Sequence, residues 1–434
     1  MTRARAVAVA LFVIIGGVFF SRFVAARIVF ERLVPAAAAA LLVVAASIGF
    51  GAIAIALARS GVRRRQSPLS VPDQERQLAL PHSGTDVADE FLVGVSVFGS
   101  VLSLIALAIL NPLIVYALTL IAATYGALAR WRRVVALVQT LRPSMLLLPP
   151  IAIAFIGAIS PVNTPDELVY KLALPKMYLL FGRMLELPLN SQSYFPSSVY
   201  MADLAALVLS GGIAAKLVHF VIYLVVLRVI RRASSTWATA VIAWTPALAL
   251  IAGWAWAEWA MIGFVLLSFI SWQEQDLALA ACALGAALAT KYTALPWLLL
   301  FLPIAIWRLR AWQPLAKAAL TVIAVGGLFY VRNVVWTGSP IAPFLLPESP
   351  DIVQYRSTAG GFAELIRGYD IFHEGIIDDS LGILLPVMVL LSPFALIGRD
   401  RRAVELFLIG AAQLAMLIPL APTSRLMALA LVPL

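Results

Sequence analysis

The segment from Pro161 to Gly212 carries the side chains of this chain that are best suited to chemistry. It is charged and rich in proline, and it begins with the run Thr164-Pro165-Asp166-Glu167. A carboxylate at the edge of a membrane can act as a general base, taking a proton from an acceptor hydroxyl or amine. The same run is a good helix start, with threonine as N-cap, proline at the first helical position and Glu167 closing a capping box. One carboxylate can serve both purposes, so Asp166 and Glu167 are candidate catalytic residues.

Four lysines accompany these acids and predict contacts to a phosphate group. Lys171 and Lys176 lie on the helix that begins near Asp166, Lys216 follows a Gly-Gly break, and Lys291 lies between two half-length apolar segments. A cation at membrane depth is costly and usually functional, and ammonium groups stabilise the charge of a departing phosphate. The alternative for each lysine is contact with lipid headgroups, in which the long side chain keeps its charge in water.

Two further polar residues extend the predicted site. His219 lies one helical turn after Lys216, and Glu258 lies at a predicted outer turn within the cluster Trp254-Ala-Trp256-Ala-Glu258-Trp259. Clustered tryptophans are typical of the aromatic belt at a membrane interface, and we interpret these tryptophans in that way. A belt does not require an acid, so Glu258 is kept as a candidate.

A later outer loop, 336–380, contains seven acidic residues. Loops of this length often bind ligands, although solvated charge is the commoner explanation. Within it His373, Glu374, Asp378 and Asp379 offer ligands for a divalent cation, but their spacing is not diagnostic, so no metal site is assigned.

Composition places the chain in a membrane. It has 434 residues, of which 62% are hydrophobic and only 12% charged, against about 25% charged in soluble domains. The apolar runs are long and continuous, which favours a bundle of transmembrane helices over a β-barrel. The single cysteine, Cys282, lies in an apolar run, which excludes an intramolecular disulfide or a thiolate metal site.

The net charge of +10 does not indicate nucleic-acid binding. Most of the 32 lysines and arginines fall in alternate loops, which is the pattern of the positive-inside rule. The basic loops are therefore expected to be cytoplasmic, and the segment 161–212 is expected to lie on the opposite, extracytoplasmic face.

The apolar runs predict an all-α polytopic membrane protein with about 12–13 transmembrane helices and amphipathic surface helices in a long outer loop. A helix over 196–210 is expected to lie at the outer surface. The predicted spans are 6–20, 34–58, 91–110, 112–129, 144–160, 213–230, 237–253, 258–272, 277–290, 294–307, 315–335, 381–398 and 403–420, with a fragment from Ser424.

The chain is expected to have two parts. Residues 1–143 form an N-terminal transmembrane extension with a flexible cytoplasmic linker at 59–90. Residues 144–434 form the second transmembrane domain, with outer loops at 161–212 and 336–380.

Several blocks of this sequence resemble the GT-C class of integral-membrane glycosyltransferases, and most closely its bacterial members of the protein-mannosyltransferase and aminoarabinose-transferase type. The resemblance runs from about Asp166 to Pro343. It is specific because the blocks occur in the family's order and are all predicted at the outer face of the membrane. The blocks are Asp166 to Tyr178, Phe195-Pro196, Ala215 to His219, Leu284 to Tyr292 and Arg332 to Pro340, and a weaker similarity is found at Arg425.

The resemblance implies a fold of eleven or more helices, a polyprenyl-phosphate-linked sugar as donor and an inverting transfer on the extracytoplasmic face of the plasma membrane. The acceptor would be a glycan, a lipid or a protein, with membrane lipids as further partners and a divalent cation left open. By position, Asp166 corresponds to the catalytic acid of the family and acts as general base. Lys216 and Lys291 correspond to its phosphate-facing cations. Lys171 and Lys176 are further candidates for contact with the donor phosphate, and the candidates for substrate binding are Glu258, His219, Tyr170 and Arg425.

Two departures from the family pattern keep other functions open. Where many relatives read Tyr-His-Leu, this chain has Tyr170-Lys171-Leu172, and where they carry aspartate in the later outer turn it has Glu258. A catalytically inactive subunit of a membrane complex, built on the same fold, is the first alternative. A transporter of lipid-linked glycans is the second, although the chain shows no internal repeat of the kind transporters use.

Overall fold

In the computed structural model, residues 24–61, 86–140, 144–309 and 311–344 are described, together with a few residues between 393 and 412. This part of the chain is helical almost throughout and contains no strand. Five of its helices are long and apolar enough to cross a membrane, and a sixth span results if one bent helix pair is counted. The chain is therefore an all-α polytopic membrane protein, as its sequence predicts.

The helices are labelled in chain order. They are α1 (Val24–Gly61), α2 (Val87–Ala108), α3 (Pro112–Thr140), α4 (Leu148–Ile159), α5 (Ala173–Leu180), α6 (Ser198–Ser210), α7 (Gly212–Ala233), α8 (Thr236–Trp244), α9 (Pro246–Ile251), α10 (Glu258–Gln273), α11 (Leu277–Thr290), α12 (Leu295–Leu309), α13 (Trp312–Gly326) and α14 (Leu328–Thr337). A π-helical turn, Glu167–Lys171, precedes α5.

The centre of the described bundle is formed by helices that are apolar on every side. In α10 the residues from 258 to 271 are buried, and in α11 those from 278 to 290 are buried. A helix without a polar face must be surrounded by protein or lipid. Both helices have fewer than the roughly 20 residues that span a bilayer, and longer helices, among them α2 and α7, pack around them.

Glycine allows the two N-terminal helices to cross in direct backbone contact. A Cβ atom on Gly94 of α2 would lie 1.6 Å from the carbonyl oxygen of Ser47 in α1, and one on Gly51 would lie 1.7 Å from the carbonyl oxygen of Glu90. Close approach of this kind, through small residues, is how membrane helices gain packing energy. These two helices also pack on α6 and α7, so helices from both predicted parts of the chain are in direct contact.

Ion pairs join the helices at one end of the bundle. Three acids at the start of α2 contact arginines in the second half of α3 and near the end of α7, and Arg59 of α1 pairs with Asp276 at the start of α11. The α2 pairs are Asp86–Arg228 at 2.7 Å, Asp89–Arg232 at 3.0 Å and Glu90–Arg130 at 2.8 Å. The basic residues that predict membrane orientation are thus also packing residues.

The structure corrects the prediction for 196–210. The helix is α6, but it does not lie at a surface, because residues 198–206 are buried against α2 and α7. Its only ionisable acid, Asp203, is fully buried and pairs with His219, so the helix has no polar face to present to water or headgroups. The predicted break after it is confirmed, since Gly211 has φ of +92° and ψ of −165°, a conformation open essentially to glycine alone.

Two predicted spans are interrupted. The run 237–253 is split into α8 and α9 at Thr245-Pro246, because proline lacks the N–H that continues a helix and disfavours helical geometry in the residue before it. The run 315–335 becomes α13 and α14, which meet at a bend of 64° beside Gly327.

Other spans agree with prediction. The helices at 34–58, 91–110, 112–129, 213–230 and 294–307 are long and apolar enough to cross a membrane, although α1 and α2 extend into the ends of the predicted linker 59–90. Helices are also present at 144–160, 258–272 and 277–290, but they are shorter than a full span. The first span 6–20, most of the loop 336–380, the spans 381–398 and 403–420 apart from isolated residues, and the C-terminal fragment lie outside the described residues.

Candidate functional site

The predicted capping box at the start of the 161–212 segment is present. The Glu167 backbone N–H lies 3.4 Å from Oγ1 of Thr164, while Thr164 donates from its hydroxyl at 2.8 Å and from its N–H at 3.3 Å to Oε2 of Glu167. The other carboxylate oxygen of Glu167 accepts from the N–H of Ala255 at 2.7 Å. Glu167 is fully buried and its oxygens are engaged by three donor groups, which favours a structural role over catalysis.

Asp166, the neighbouring acid, lies in a different environment. Its side chain is 29% exposed, Lys171 lies 3.0 Å from Oδ2, and the hydroxyl of Tyr170 donates to the same oxygen at 3.2 Å. These contacts leave the carboxylate in reach of a ligand from outside. Of the two predicted catalytic acids, Asp166 is therefore the one whose carboxylate is accessible to a ligand.

Lys171 and Lys176 differ sharply in exposure although they lie five residues apart. The side chain of Lys176 is exposed, whereas that of Lys171 is completely buried and its Nζ lies 3.3 Å from the centroid of the Trp256 ring. An ammonium group over the face of a tryptophan is held by the quadrupole of the ring. Headgroup contact, the alternative from the sequence, is thus excluded for Lys171 in this conformation.

Trp256 and Trp259 do not form an interfacial belt. They are 3% and 1% exposed, and the indole N–H of Trp256 lies 3.3 Å from Oγ1 of Thr164. The belt interpretation is wrong for these two residues because their rings cover a buried charge or fill the core. Sequence alone could not separate these two uses of tryptophan, since both place the residue near the end of an apolar run.

A second ion pair lies beside the first. Glu258 is the first residue of α10, and its Oε1 lies 2.5 Å from Nζ of Lys291, whose side chain is 17% exposed. Both Glu258 and Lys291 act electrostatically on Lys171, so the two pairs form one group. We call Asp166, Lys171, Glu258 and Lys291 the charge cluster.

The charge state of Lys171 is set by its burial at the end of the π-helical turn before α5. Burial lowers the pKa of the Lys171 ammonium from about 10.5 to about 7, a shift that Lys291 increases and that Glu258 and Asp166 oppose. The charge of Lys171 is therefore poised to change near neutral pH.

We expect the stability of the protein, relative to the Lys171→Met variant, to rise as pH increases from about 7 toward about 10.5. In that window the unfolded chain binds more protons at Lys171 than the folded chain does, so stability rises with pH; below it, the folded state bears the full cost of a buried charge. The melting temperatures of wild type and Lys171→Met, measured in one detergent across this pH range, test the prediction. A melting-temperature difference between wild type and Lys171→Met that stays constant with pH would contradict the prediction.

Lys216 lies apart from the charge cluster. It is fully buried in α7, and its ammonium donates to the carbonyl oxygens of Ser160 at 2.9 Å and Pro161 at 3.2 Å. These carbonyls end α4 and open the 161–212 segment, where a cation satisfies acceptors that no helical N–H reaches. The position favours anchoring of the segment over contact with a phosphate.

His219, one turn along α7, is also buried and faces Asp203 and the Trp256 carbonyl oxygen. The structure thus places it behind the turn that carries Trp256, and not in the open part of the site. The remaining predicted substrate residue, Arg425, and the four residues His373, Glu374, Asp378 and Asp379 lie outside the described part of the chain.

Arg332 and Asn333 belong to the last block of the resemblance, and the sequence predicts no role for them. Arg332, 3% exposed, donates to the carbonyl oxygens of Tyr194 at 2.8 Å and Phe195 at 3.3 Å, and its guanidinium lies 4.7 Å from the ring centroid of Trp336. Asn333 donates to the same Tyr194 oxygen at 2.7 Å. Together they fix the Tyr194-Phe195 stretch of the 161–212 segment to α14.

No protein-family model matches this chain, and neither a curated protein nor a solved structure shows significant similarity to it.

Proposed function

We propose that this protein is a membrane glycosyltransferase that moves a sugar from a polyprenyl-phosphate donor to an acceptor on the extracytoplasmic face. The observation that carries the proposal is the charge cluster, in which a partly exposed carboxylate and a partly exposed ammonium, Asp166 and Lys291, belong to one electrostatic group. A base for the acceptor and a cation for the leaving group are the two functions that this transfer needs.

In this proposal Asp166 takes the proton from the acceptor hydroxyl or amine. The acceptor atom forms a bond to the anomeric carbon of the sugar, and the bond from that carbon to the phosphate oxygen breaks. The electron pair of the broken bond leaves with the polyprenyl phosphate. Attack from the side opposite the leaving group inverts the anomeric centre.

Lys291 would stabilise the negative charge of the departing phosphate. Among the four lysines of the predicted site, it combines membership of the charge cluster with partial exposure. Lys171 is buried beneath Trp256, where it contacts Asp166 directly and would act on the phosphate through its charge alone. Tyr170 holds Asp166 by its hydroxyl.

One observation favours a second function, that of a non-catalytic subunit. Each lysine of the charge cluster is already paired with a carboxylate, and Lys171 is inaccessible, as in a cluster that serves folding alone. A subunit of this kind would copurify with a membrane complex and bind no donor.

A donor assay separates these functions. Purified wild-type protein and the Asp166→Asn variant are offered radiolabelled polyprenyl-phosphate sugars, and sugar release or transfer is scored. Turnover by wild type that is lost in the variant supports the glycosyltransferase. Absence of turnover and of donor binding in two folded proteins would support the structural subunit, and full turnover by the variant would refute the role of Asp166.

A further inference from the structure

A buried acid–imidazole pair connects α6 to α7 directly behind the charge cluster. Oδ2 of Asp203 lies 2.8 Å from Nε2 of His219, and the two side chains are 0% and 2% exposed. On the opposite side of the ring, Nδ1 lies 3.0 Å from the carbonyl oxygen of Trp256. Both ring nitrogens of His219 therefore face oxygen atoms.

The contacts of the two ring nitrogens require that Asp203 and His219 share a proton. A backbone carbonyl can only accept, so Nδ1 of His219 carries a hydrogen. If the ring were neutral and Asp203 ionised, a lone pair on Nε2 would face a carboxylate oxygen and be repelled. Turning the ring over would place carbon atoms against both oxygens. The contact is attractive only when one proton lies between Nε2 and Oδ2, which leaves the pair without net charge, as burial requires.

The surroundings of the pair oppose loss of this proton. Glu167, buried in its capping box, acts on both side chains with its negative charge, which disfavours a second anion beside it. Oδ1 of Asp203 has no hydrogen-bond partner among the described residues. An oxygen without a partner costs more on a carboxylate than on a neutral acid, so the arrangement favours Asp203 as the donor to a neutral His219.

Through the Trp256 carbonyl, the pair acts on the turn that covers Lys171 and leads into Glu258. This turn, 254–257, is held by three groups: His219 at the Trp256 carbonyl, Glu167 at the Ala255 N–H, and the Tyr200 hydroxyl, which accepts from the Ala257 N–H at 3.3 Å. The ring of Trp256 covers Lys171. The next residue after the turn is Glu258, the partner of Lys291.

We propose that Asp203 and His219 are positioning residues, which retain one shared proton and hold the Trp256 turn over Lys171. That the pair positions the turn does not depend on any reaction. Only the importance of this positioning for sugar transfer rests on the proposed function.

Amine labelling of the purified full chain tests the positioning. Lys171 is shielded by Trp256, while the exposed Lys176 in the same segment is an internal reference. The His219→Phe variant removes both hydrogen bonds of the ring. We expect labelling of Lys171 relative to Lys176 to rise on the order of tenfold, because the turn loses its one hydrogen bond from His219 to the Trp256 carbonyl. In Asp203→Asn, whose amide N–H can donate to Nε2 of a neutral His219, labelling should remain at the wild-type ratio. Unchanged protection in His219→Phe, or equal exposure in both variants, would overturn the proposal.

Proton retention is tested without altering the pair. The chain has three histidines, so the double variant His82→Gln, His373→Gln leaves His219 alone for ¹⁵N NMR of the imidazole ring. We expect no titration of its nitrogens across roughly pH 5 to 8, where an ordinary histidine changes charge. A midpoint within that range would overturn the retained proton. Neither experiment uses a sugar donor, so failure of the proposed transfer and failure of this inference are distinguishable.

Discussion

The Asp166→Asn variant is expected to transfer sugar about 10²–10⁴ times more slowly than wild type, the usual contribution of a positioned general base. Asparagine has nearly the same shape as aspartate and keeps an oxygen that can accept from the Tyr170 hydroxyl. It cannot take a proton from the acceptor at neutral pH. The fold should survive, since the Asp166 side chain is partly exposed and Lys171 keeps its contact with Trp256. The measurement is the initial rate at saturating donor.

A matched control comes from the same segment. Glu186 accepts from the Tyr194 hydroxyl at 2.6 Å and is not part of the charge cluster. Glu186→Gln makes the same loss of one negative charge and should retain a rate within a few-fold of wild type. A similar loss in both variants would mean that the general charge of the segment, and not proton transfer at Asp166, is responsible.

The second large effect is expected in stability. Arg332→Met should lower the free energy of unfolding by about 2–4 kcal/mol, because the buried guanidinium supplies charge-assisted hydrogen bonds to acceptors that would lose their donor. The Phe195 carbonyl oxygen loses its partner, and the Tyr194 oxygen keeps Asn333 and the Tyr292 hydroxyl. Methionine retains the apolar contact with Trp336 but not the charge on its ring.

Thermal unfolding in one detergent measures this effect. Arg332→Lys should recover only part of the loss, since a single ammonium cannot reproduce the planar fork that reaches Asn333 and two carbonyl oxygens at once. Arg183 is exposed, and Arg183→Met is the control, expected to change stability by less than about 0.5 kcal/mol. Equal melting temperatures for Arg332→Met and Arg183→Met would contradict the role assigned to Arg332.

Features that depend on neighbouring residues were predictable from sequence. The capping box needs only Thr164, Pro165 and Glu167 in the right spacing, and its hydrogen bonds form within one helical turn. The break at Gly211 follows from a backbone conformation that glycine alone adopts readily. The helix over 277–290 follows from a continuous apolar run bounded by polar residues.

Features that depend on distant segments were not predictable. Lys171 and Lys176 lie on one short helical segment, yet only Lys171 meets Trp256, which is 85 positions further along the chain. Lys216 has the sequence context of a cation in a site, but its partners are carbonyls at the end of α4. Periodicity gives the face of a helix and not which segment will cover it, so the fold class was accessible while the membership of the charge cluster required the structure.

We expect the arginines at one end of the bundle to act both during membrane insertion and in the folded protein. While the chain is being inserted its helices have not yet packed, so we expect the positive charges of Arg228 and Arg232 to favour a cytoplasmic position for the end of α7. In the folded protein the same groups are joined to Asp86 and Asp89 of α2. Acids contribute little to orientation during insertion. A chain with these two acids neutralised should therefore enter the membrane the same way round, yet fail to close that end of the bundle.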